Sequence, residues 1–301
     1  MSPLSSSVSA SCPVRLLDSQ AEAAGLWGWP VKYGRLFLSE LVGTALLVAI
    51  GCSFVVVDFA PGSPVPHLVA SAALRRALTG FLFGTTGGLI ALSPVGRESG
   101  AHINPIVSLA FWLRGTLTFP VTLGYVIAQM AGAVLGTFPL LLWGRLAQSV
   151  HMAATTLGPL GPVAGLSGEI GATALLTLGL FVFLGHPRLR RYTPGLFPLL
   201  YAFLVWIEAP LSGTSTNPAR SFGPALVGGV WSGLWVDICG PLCGMGLGLL
   251  LLSLPGLRTL REDVAKLYHF HWDPSGLLSA PVKTLETGIT RAWASSRHRP
   301  G

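Results

Sequence analysis

Two short stretches of the chain carry the same rare dipeptide, an asparagine followed by a proline. They are residues 100–106 (GAHINPI) and 213–220 (GTSTNPAR), and they contain Asn104 and Asn217, the only two asparagines in 301 residues. Asparagine at an N-cap with proline at the first helical position is a strong helix-start signal. The asparagine amide also supplies two hydrogen-bond donors. The two Asn-Pro boxes therefore predict two helix N-termini, each with a polar donor beside it.

Each box is followed by a short apolar run, residues 106–113 after the first and 219–227 after the second. About eight to ten helical residues rise only about 12–15 Å, roughly half of a 30 Å hydrocarbon core. Two such half-helices, entering a membrane from opposite sides and meeting at their N-termini, would span it once. Their dipoles would place partial positive charge at the meeting point, a barrier to cations and protons. This arrangement predicts a pore.

The composition is that of a membrane protein, with 51% hydrophobic residues, 10% charged residues and a mean hydropathy of +0.63. The first 33 residues contain no apolar run of signal-peptide type, so residues 1–33 are predicted to be a cytoplasmic tail. A second cytoplasmic tail is predicted over residues 255–301. Six apolar segments between them predict spanning helices: 34–59, 77–92, 117–143, 163–185, 194–207 and 231–254.

The net charge of +7 does not indicate a nucleic-acid partner, because the basic residues follow the positive-inside rule. If both termini are cytoplasmic, most of the 19 lysines and arginines lie in cytoplasmic segments. The very basic turn at residues 186–191 (HPRLRR) then lies at anionic lipid headgroups. The expected partner of this chain is the lipid bilayer.

The two halves of the chain repeat one order of features: a glutamate in an apolar helix, a second helix, an Asn-Pro box and a further helix. The glutamates are Glu40 in residues 39–47 (SELVGTALL) and Glu169 in residues 167–176 (SGEIGATALL). Three spans per half is an odd number, so the second half is inverted relative to the first. The predicted fold is an all-α polytopic membrane protein with six transmembrane helices, two half-helices and an inverted 3+3 repeat. The repeats cover about 34–146 and 162–254, and the substrate path lies at their interface.

Ionisable residues inside apolar helices are expensive and need an explanation. Irregular loops at membrane depth must be held by protein, so Glu40 and Glu169 are predicted to accept hydrogen bonds from the loop of the neighbouring box. A proton relay through the two carboxylates is the alternative. His102 has no metal-ligand partner near it in sequence and is interpreted as a hydrogen-bonding residue of its loop. Glu208 is predicted to lie near the outer mouth of the pore.

The motifs SGAH at residues 99–102 and NPARSFGP at residues 217–224 resemble the aquaporin (major intrinsic protein) family. The resemblance covers about residues 34–254, and Ile106 departs from the alanine that usually follows Asn104-Pro105, whereas Asn217-Pro218 is followed by Ala219. The resemblance implies a passive water channel, a homotetramer with one pore per subunit, no cofactor, and loop support by Glu40 and Glu169. Ile106 is expected to narrow or shift the packing of the boxes.

The resemblance also places a selectivity filter. It implies Arg220 as the filter arginine, with Val205, Thr214 and Phe83 (or Gly84) as the other positions. Val205 stands where strict water channels have histidine, which predicts a wider and more apolar filter. Ser221 stands where glycerol facilitators usually have aspartate. Water is therefore the first expectation, and glycerol, urea or ammonia the alternative.

Two other function classes remain open. A proton-coupled transporter would use Glu40 and Glu169 and show saturable flux. An intramembrane serine protease would use Ser167 in residues 165–168 (GLSG), but it needs a histidine within reach. The cysteines lack metal-ligand spacing and are interpreted as packing residues. Composition suggests a bacterial inner membrane as the host membrane.

Overall fold

The computed structural model describes residues 29–280, and in this range the chain is helical, with one isolated β-bridge between Val264 and Ser279. Residues 1–28 of the tail predicted over residues 1–33, with Cys12, and residues 281–301 lie outside the described residues, and the last five residues of that predicted tail already belong to the first helix. The longer helices are α1 (Trp29–Phe59), α2 (Ala72–Leu92), α3 (Pro105–Leu113), α4 (Phe119–Thr137), α5 (Gly161–Gly185), α6 (Thr193–Ser212), α7 (Pro218–Gly228) and α8 (Leu234–Leu252). Shorter helical turns are Val65–Leu68, Pro94–Ser99, Phe138–Trp143, Arg145–Ser149, His151–Ala153 and Arg190–Tyr192.

The predicted spanning helices and half-helices are present. Five stretches are long and apolar enough to cross a membrane, and they coincide with all or most of α1, α4, α5, α6 and α8. The sixth, α2, has 21 residues and is less apolar, because it carries Arg75 and Arg76 near its start and four glycines further on. The helices that follow the boxes, α3 and α7, have only 9 and 11 residues. The predicted all-α fold is confirmed.

Glycines bring the spanning helices into close contact in three pairs. On α2, Gly80, Gly84 and Gly88 recur every four residues, and a Cβ at Gly84 would lie 2.3 Å from the carbonyl oxygen of Phe197 on α6. Small residues at such positions let helix backbones approach closely in a membrane. Similar contacts join α4 to α1 and α8 to α5, through Gly132, Gly136, Gly240, Gly244 and Gly248. The first and third helices of each repeat thus pack together, and α2 and α6 join the repeats.

The chain continues to pack after the last spanning helix. α8 ends at Leu252, close to the predicted channel boundary at residue 254. The following residues fold back over the end of the bundle that carries Arg97 and Arg114. The Arg114 side chain donates to the Glu262 carboxylate and to the carbonyl oxygen of Leu260, and the Lys266 ammonium donates to the carbonyl oxygen of Arg97. Residues 257–280 are called the C-terminal cap below. They belong to the cytoplasmic tail predicted over residues 255–301, and they pack against the channel helices.

Candidate functional site

The N-termini of the two half-helices α3 and α7 meet inside the bundle. Asn104 caps α3, because its Oδ1 accepts the backbone N–H of Ile106 at 2.9 Å. Asn217 caps α7 in the same way, accepting the N–H groups of Ala219 at 3.1 Å and Arg220 at 3.3 Å. Pro105 and Pro218 occupy the first helical positions, where their missing N–H groups leave no bond unmade.

Each asparagine also reaches across to the other box. The Nδ2 of Asn104 donates to the carbonyl oxygen of Thr216 at 3.0 Å, and the Nδ2 of Asn217 donates to the carbonyl oxygen of Ile103 at 2.9 Å. An amide has two hydrogens on nitrogen. One hydrogen of each asparagine therefore joins the two boxes, and the second remains for a molecule in the cavity that both residues line.

The loops before the two asparagines have the same unusual backbone. Besides Gly100 and Gly213, the non-glycine residues with positive φ are Ala101 and Ile103 in the first loop, and Thr214 and Thr216 in the second. Such conformations cost about 1–3 kcal/mol each for ordinary residues and persist only where the surroundings hold them. The loops therefore need strong support.

Glu40 supplies that support for the first loop. Its buried carboxylate accepts the backbone N–H groups of His102 at 2.9 Å and Ile103 at 2.7 Å. It also accepts the hydroxyl of Ser99 and the amide of Gln129, both at 2.7 Å. Four donors on one carboxylate offset much of the penalty of burying a charge.

Glu169 does the same for the second loop. It accepts the N–H groups of Ser215 at 2.6 Å and Thr216 at 2.8 Å, and the hydroxyl of Ser212 at 2.5 Å. Neither this carboxylate nor that of Glu40 lines either cavity described below. The contacts favour the loop-support interpretation over a proton relay.

The other predicted loop residue, His102, has partners that sequence spacing did not reveal. One ring nitrogen lies 3.1 Å from the hydroxyl of Ser108, and the other lies 3.0 Å from the carbonyl oxygen of Ala265 in the cap. The ring stacks on Phe111 at 4.6 Å between centroids. His102 is thus a hydrogen-bonding residue that also contacts the cap.

An outer cavity of about 300 Å³ brings the four predicted filter residues together on its wall: Phe83, Val205, Thr214 and Arg220. The Arg220 side chain donates to the carbonyl oxygen of Ala153 at 3.1 Å, and its guanidinium carbon lies 5.8 Å from the centre of the Phe83 ring. The alternative aromatic position, Gly84, packs against the backbone of α6 and lines the smaller inner cavity, not the outer one.

Sequence reasoning missed Tyr201, which lies one helical turn before Val205 on α6. Its ring and that of Phe83, 6.0 Å apart between centroids, line both the outer cavity and a smaller inner one. Its hydroxyl lies 3.2 Å from that of Thr216. Phe83 and Tyr201 therefore form the neck between the two cavities. Its position four residues before Val205, on the same face of the helix, could have indicated that it also lines the path.

The inner cavity has a volume of about 40 Å³, room for one or a few water molecules. Both box asparagines line it, together with His102 and Val107. One wall is formed by Leu267 of the cap, which no sequence pattern indicated.

Ile106 faces away from this path. It is 1% exposed and lines neither cavity, and the cross-links between Asn104 and Asn217 form beside it. Ile106 was predicted to narrow or shift the packing of the two boxes, and the hydrogen bonds between the boxes show no sign of that effect. Its counterpart Ala219 is also fully buried.

Two further acids lie behind the second box. Glu208, expected near the outer mouth, is buried beside Ser212 and lines neither cavity. Asp237, which sequence reasoning did not single out, accepts the hydroxyl of Thr155. Ser221 belongs to this hydroxyl cluster, with its oxygen 2.9 Å from that of Thr155.

The protease alternative has no support in the site geometry. The hydroxyl of Ser167 donates to the carbonyl oxygen of Val163 at 2.9 Å, and the groove that it lines contains no histidine. Across residues 29–280, no group of three or more histidine, cysteine, aspartate or glutamate side chains is placed to hold a metal ion.

Comparison with known proteins agrees with this geometry. The sequence profile described as "Major intrinsic protein" matches residues 30–252, most of the chain. The chain belongs to the major intrinsic protein family.

Relatives in this family are similar over most of their length. "Aquaporin TIP4-3" of Zea mays is 38% identical over 225 residues, covering 72% of this chain and 85% of that protein. "Lens fiber major intrinsic protein" of Gallus gallus is 34% identical over 249 residues, covering 78% and 88%. The solved aquaglyceroporin of Plasmodium falciparum shares the fold, with a TM-score of 0.62 at 17% identity, covering 76% of this chain and 98% of that one.

Membership of the major intrinsic protein family fixes the broad class. The chain is an integral, multi-pass membrane channel and not an enzyme. These relatives come from plants and a bird, so they give no support to the expectation of a bacterial inner membrane.

Proposed function

We propose that this major intrinsic protein is a passive water channel that excludes protons and ions. The observation that carries the proposal is the inner cavity of about 40 Å³, which both box asparagines line. A cavity of that size has room for one or a few water molecules and is too small for an ion with its hydration shell.

Proton exclusion follows from the way the half-helices meet. Their N-termini place partial positive charge at the cavity, which opposes protons and cations. The free hydrogens of Asn104 and Asn217 donate to the oxygen of a passing water. That water then points its own hydrogens outward in both directions, which interrupts a hydrogen-bonded proton wire.

The filter residues favour water over larger solutes. Arg220 contributes charge and donors, and the aromatic rings of Phe83 and Tyr201 form the neck directly below it. Val205 leaves the outer cavity wider than a histidine would, but Tyr201 narrows the path one turn further in. The wide outer cavity, with Val205 and Thr214 on its wall, favours the second candidate, a channel for glycerol, urea or ammonia.

We further propose that both termini are cytoplasmic and that four copies assemble, each with its own pore. The positive-inside distribution supports this orientation, because Arg97, Arg114 and Arg190 lie at one end of the bundle with the cap.

Stopped-flow light scattering of proteoliposomes tests the function. In a sucrose gradient, vesicles with the protein are expected to shrink faster than empty vesicles, and in glycerol they should show no fast re-swelling. The control is Arg220→Val, which removes the filter charge and should admit glycerol. Fast re-swelling with the unaltered chain would establish the second candidate, and shrinkage at the rate of empty vesicles would contradict both.

A further inference from the structure

The inner end of the water path is covered by the chain's own C-terminal cap, residues 257–280. Leu267 is 3% exposed and forms part of the wall of the inner cavity, the cavity lined by both box asparagines. Its backbone N–H donates to the carbonyl oxygen of Gly100 at 3.1 Å. The cap therefore contacts the first box loop directly at the cavity.

A second contact lies two residues earlier. The carbonyl oxygen of Ala265 is 3.0 Å from the ring nitrogen of His102, which also lines the inner cavity. The cap thus binds two polar groups of the first box loop, one of them on the cavity wall. The peptide of residues 265–267 therefore lies against the wall of the inner cavity on this side.

A buried ion pair holds the cap to the end of half-helix α3. Arg114 lies 2.7 Å from the carboxylate of Glu262, with side-chain exposures of 10% and 2%. The same guanidinium donates to the carbonyl oxygen of Leu260 at 2.8 Å. Arg114 stands immediately after α3, so this anchor connects the cap to the half-helix that begins at Asn104.

A buried lysine forms the second anchor. Lys266 is 1% exposed, and its ammonium donates to the carbonyl oxygens of Arg97 at 2.5 Å and Trp272. Lysine is almost never fully buried unless it is paired. The guanidinium of Arg97 stacks on the Trp272 ring at 3.7 Å, a cation–π contact between the cap and the turn before the first box.

The cap also has internal structure. The N–H of Ala265 donates to the carbonyl oxygen of Leu278 at 2.7 Å, and that of Ala280 donates to Asp263 at 2.8 Å. Ala265 and Leu278 are fully buried. The cap is thus a folded hairpin and not an extended strand lying on the surface.

We propose that the C-terminal cap is an autoinhibitory plug, which slows the passage of water at the inner mouth of the pore while it is docked and lets water pass freely when it undocks. This inference rests on the proposed water-channel function. The anchors fit a reversible plug, because burying an ion pair or a lysine removes hydration that undocking restores. The docked protein should therefore conduct slowly, and weakening the anchors should raise the flux.

The experiment compares two double variants of the full chain in proteoliposomes. Glu262→Ala/Lys266→Ala removes both polar anchors and alters only the cap. The matched control is Arg261→Ala/Asp263→Ala, an acid and a base from the same segment with exposed side chains, one of them in a surface pair with Arg190. Osmotic water permeability is measured in sucrose, and the folded fraction of each variant is measured by circular dichroism and thermal unfolding in detergent.

The anchor variant is expected to conduct water severalfold faster than the unaltered chain, and the control variant at the unaltered rate. Equal, fast conduction by all three proteins would overturn the plug and leave the water channel standing. Conduction at the level of empty vesicles by all three, in folded proteins, would overturn both proposals.

A second measurement does not depend on the variants folding. A protease site is inserted between Pro255 and Gly256, which are exposed. The folded protein is cut in detergent, washed at high salt until mass spectrometry shows that the cap has left, and then reconstituted. A severalfold rise in water permeability relative to uncut protein supports the plug. An unchanged rate without the cap overturns it.

Discussion

The two Asn-Pro boxes have nearly the same backbone and support but different surroundings. In each, the two N–H groups before the asparagine are bound by a buried glutamate, Glu40 in the first and Glu169 in the second. Beyond that, the second box opens to an outer cavity of about 300 Å³ and the first is covered by the cap. The features that the two halves share thus specify the meeting point, and the residues in which they differ, together with the cap, specify what passes.

The side chains that follow the asparagines show the same contrast. Three residues after the asparagine, the first box has Val107 on the inner cavity and the second has Arg220 on the outer one. Arg220 therefore gives the outer end of the path a charged, selective wall, whereas Val107 gives the inner end an apolar wall at the equivalent position.

The strongest test removes the shared support. Glu40→Ala and Glu169→Ala each leave two backbone N–H groups and further buried donors without an acceptor, at about 1–3 kcal/mol for each unpaired group. Both are expected to lower the yield of folded protein severely and by similar amounts, measured by size-exclusion chromatography and thermal unfolding in detergent. A folded Glu40→Ala protein beside an unfolded Glu169→Ala protein would show that the two loops are not equivalent.

Ile106→Ala tests the difference at the residue after the proline, since the second box already has alanine there. Removing a buried isoleucine side chain should lower the free energy of unfolding by about 2–5 kcal/mol. Water permeability per folded molecule should not change, because Ile106 lines neither cavity. Thermal unfolding and stopped-flow scattering measure the two quantities, and a large change in permeability would place Ile106 in the water path.

Tyr201→Ala tests the neck, with Val205→Ala as its matched control one turn away. Removing the ring should raise glycerol permeability about tenfold, equivalent to about 1.4 kcal/mol off the barrier. Val205→Ala should have a much smaller effect, since Val205 lines the outer cavity only. Re-swelling rates in glycerol measure both variants. A larger rise in glycerol permeability for Val205→Ala than for Tyr201→Ala would show that the selective constriction lies at Val205.

The smallest predicted effect is a dependence of cap docking on pH. Burial lowers the pKa of Lys266 to about 8, while Asp273 and Glu98 oppose the shift and Arg97 adds to it. The docked lysine therefore loses its proton more readily than the undocked one, whose ordinary pKa is near 10.5. The cap therefore docks more strongly when Lys266 is neutral. Raising the pH from 7 to 8.5 should increase the equilibrium constant for docking of the cap about fourfold.

Water permeability of the unaltered chain should accordingly fall between pH 7 and 8.5. The Glu262→Ala/Lys266→Ala variant lacks this lysine and should show a flat profile over the same range. A permeability that rises with pH in the unaltered chain would contradict the assignment.

The boxes, the supporting glutamates and the spanning helices could be predicted because their signals are local. An asparagine before a proline specifies a helix start, and a glutamate in an apolar helix requires partners at membrane depth. The cap could not be predicted, because residues 257–280 have neither helical nor strand periodicity and are placed by tertiary bonds to Arg114 and Arg97. The neck was missed for a related reason. Counting residues back from Asn217 assigns Val205 and Thr214 to the filter, but it does not indicate that Tyr201, one helical turn before Val205, also lines the path.

Water is proposed to pass, without protons, through the meeting point of Asn104 and Asn217. The most direct test measures water and proton flux in the same vesicles containing the Glu262→Ala/Lys266→Ala variant. A sucrose gradient reports shrinkage, and an entrapped pH dye reports proton entry under an imposed pH gradient. The account predicts fast shrinkage with proton entry no faster than in empty vesicles. Proton entry that accompanies water, or transport that requires the pH gradient, would contradict it and favour a proton-coupled transporter.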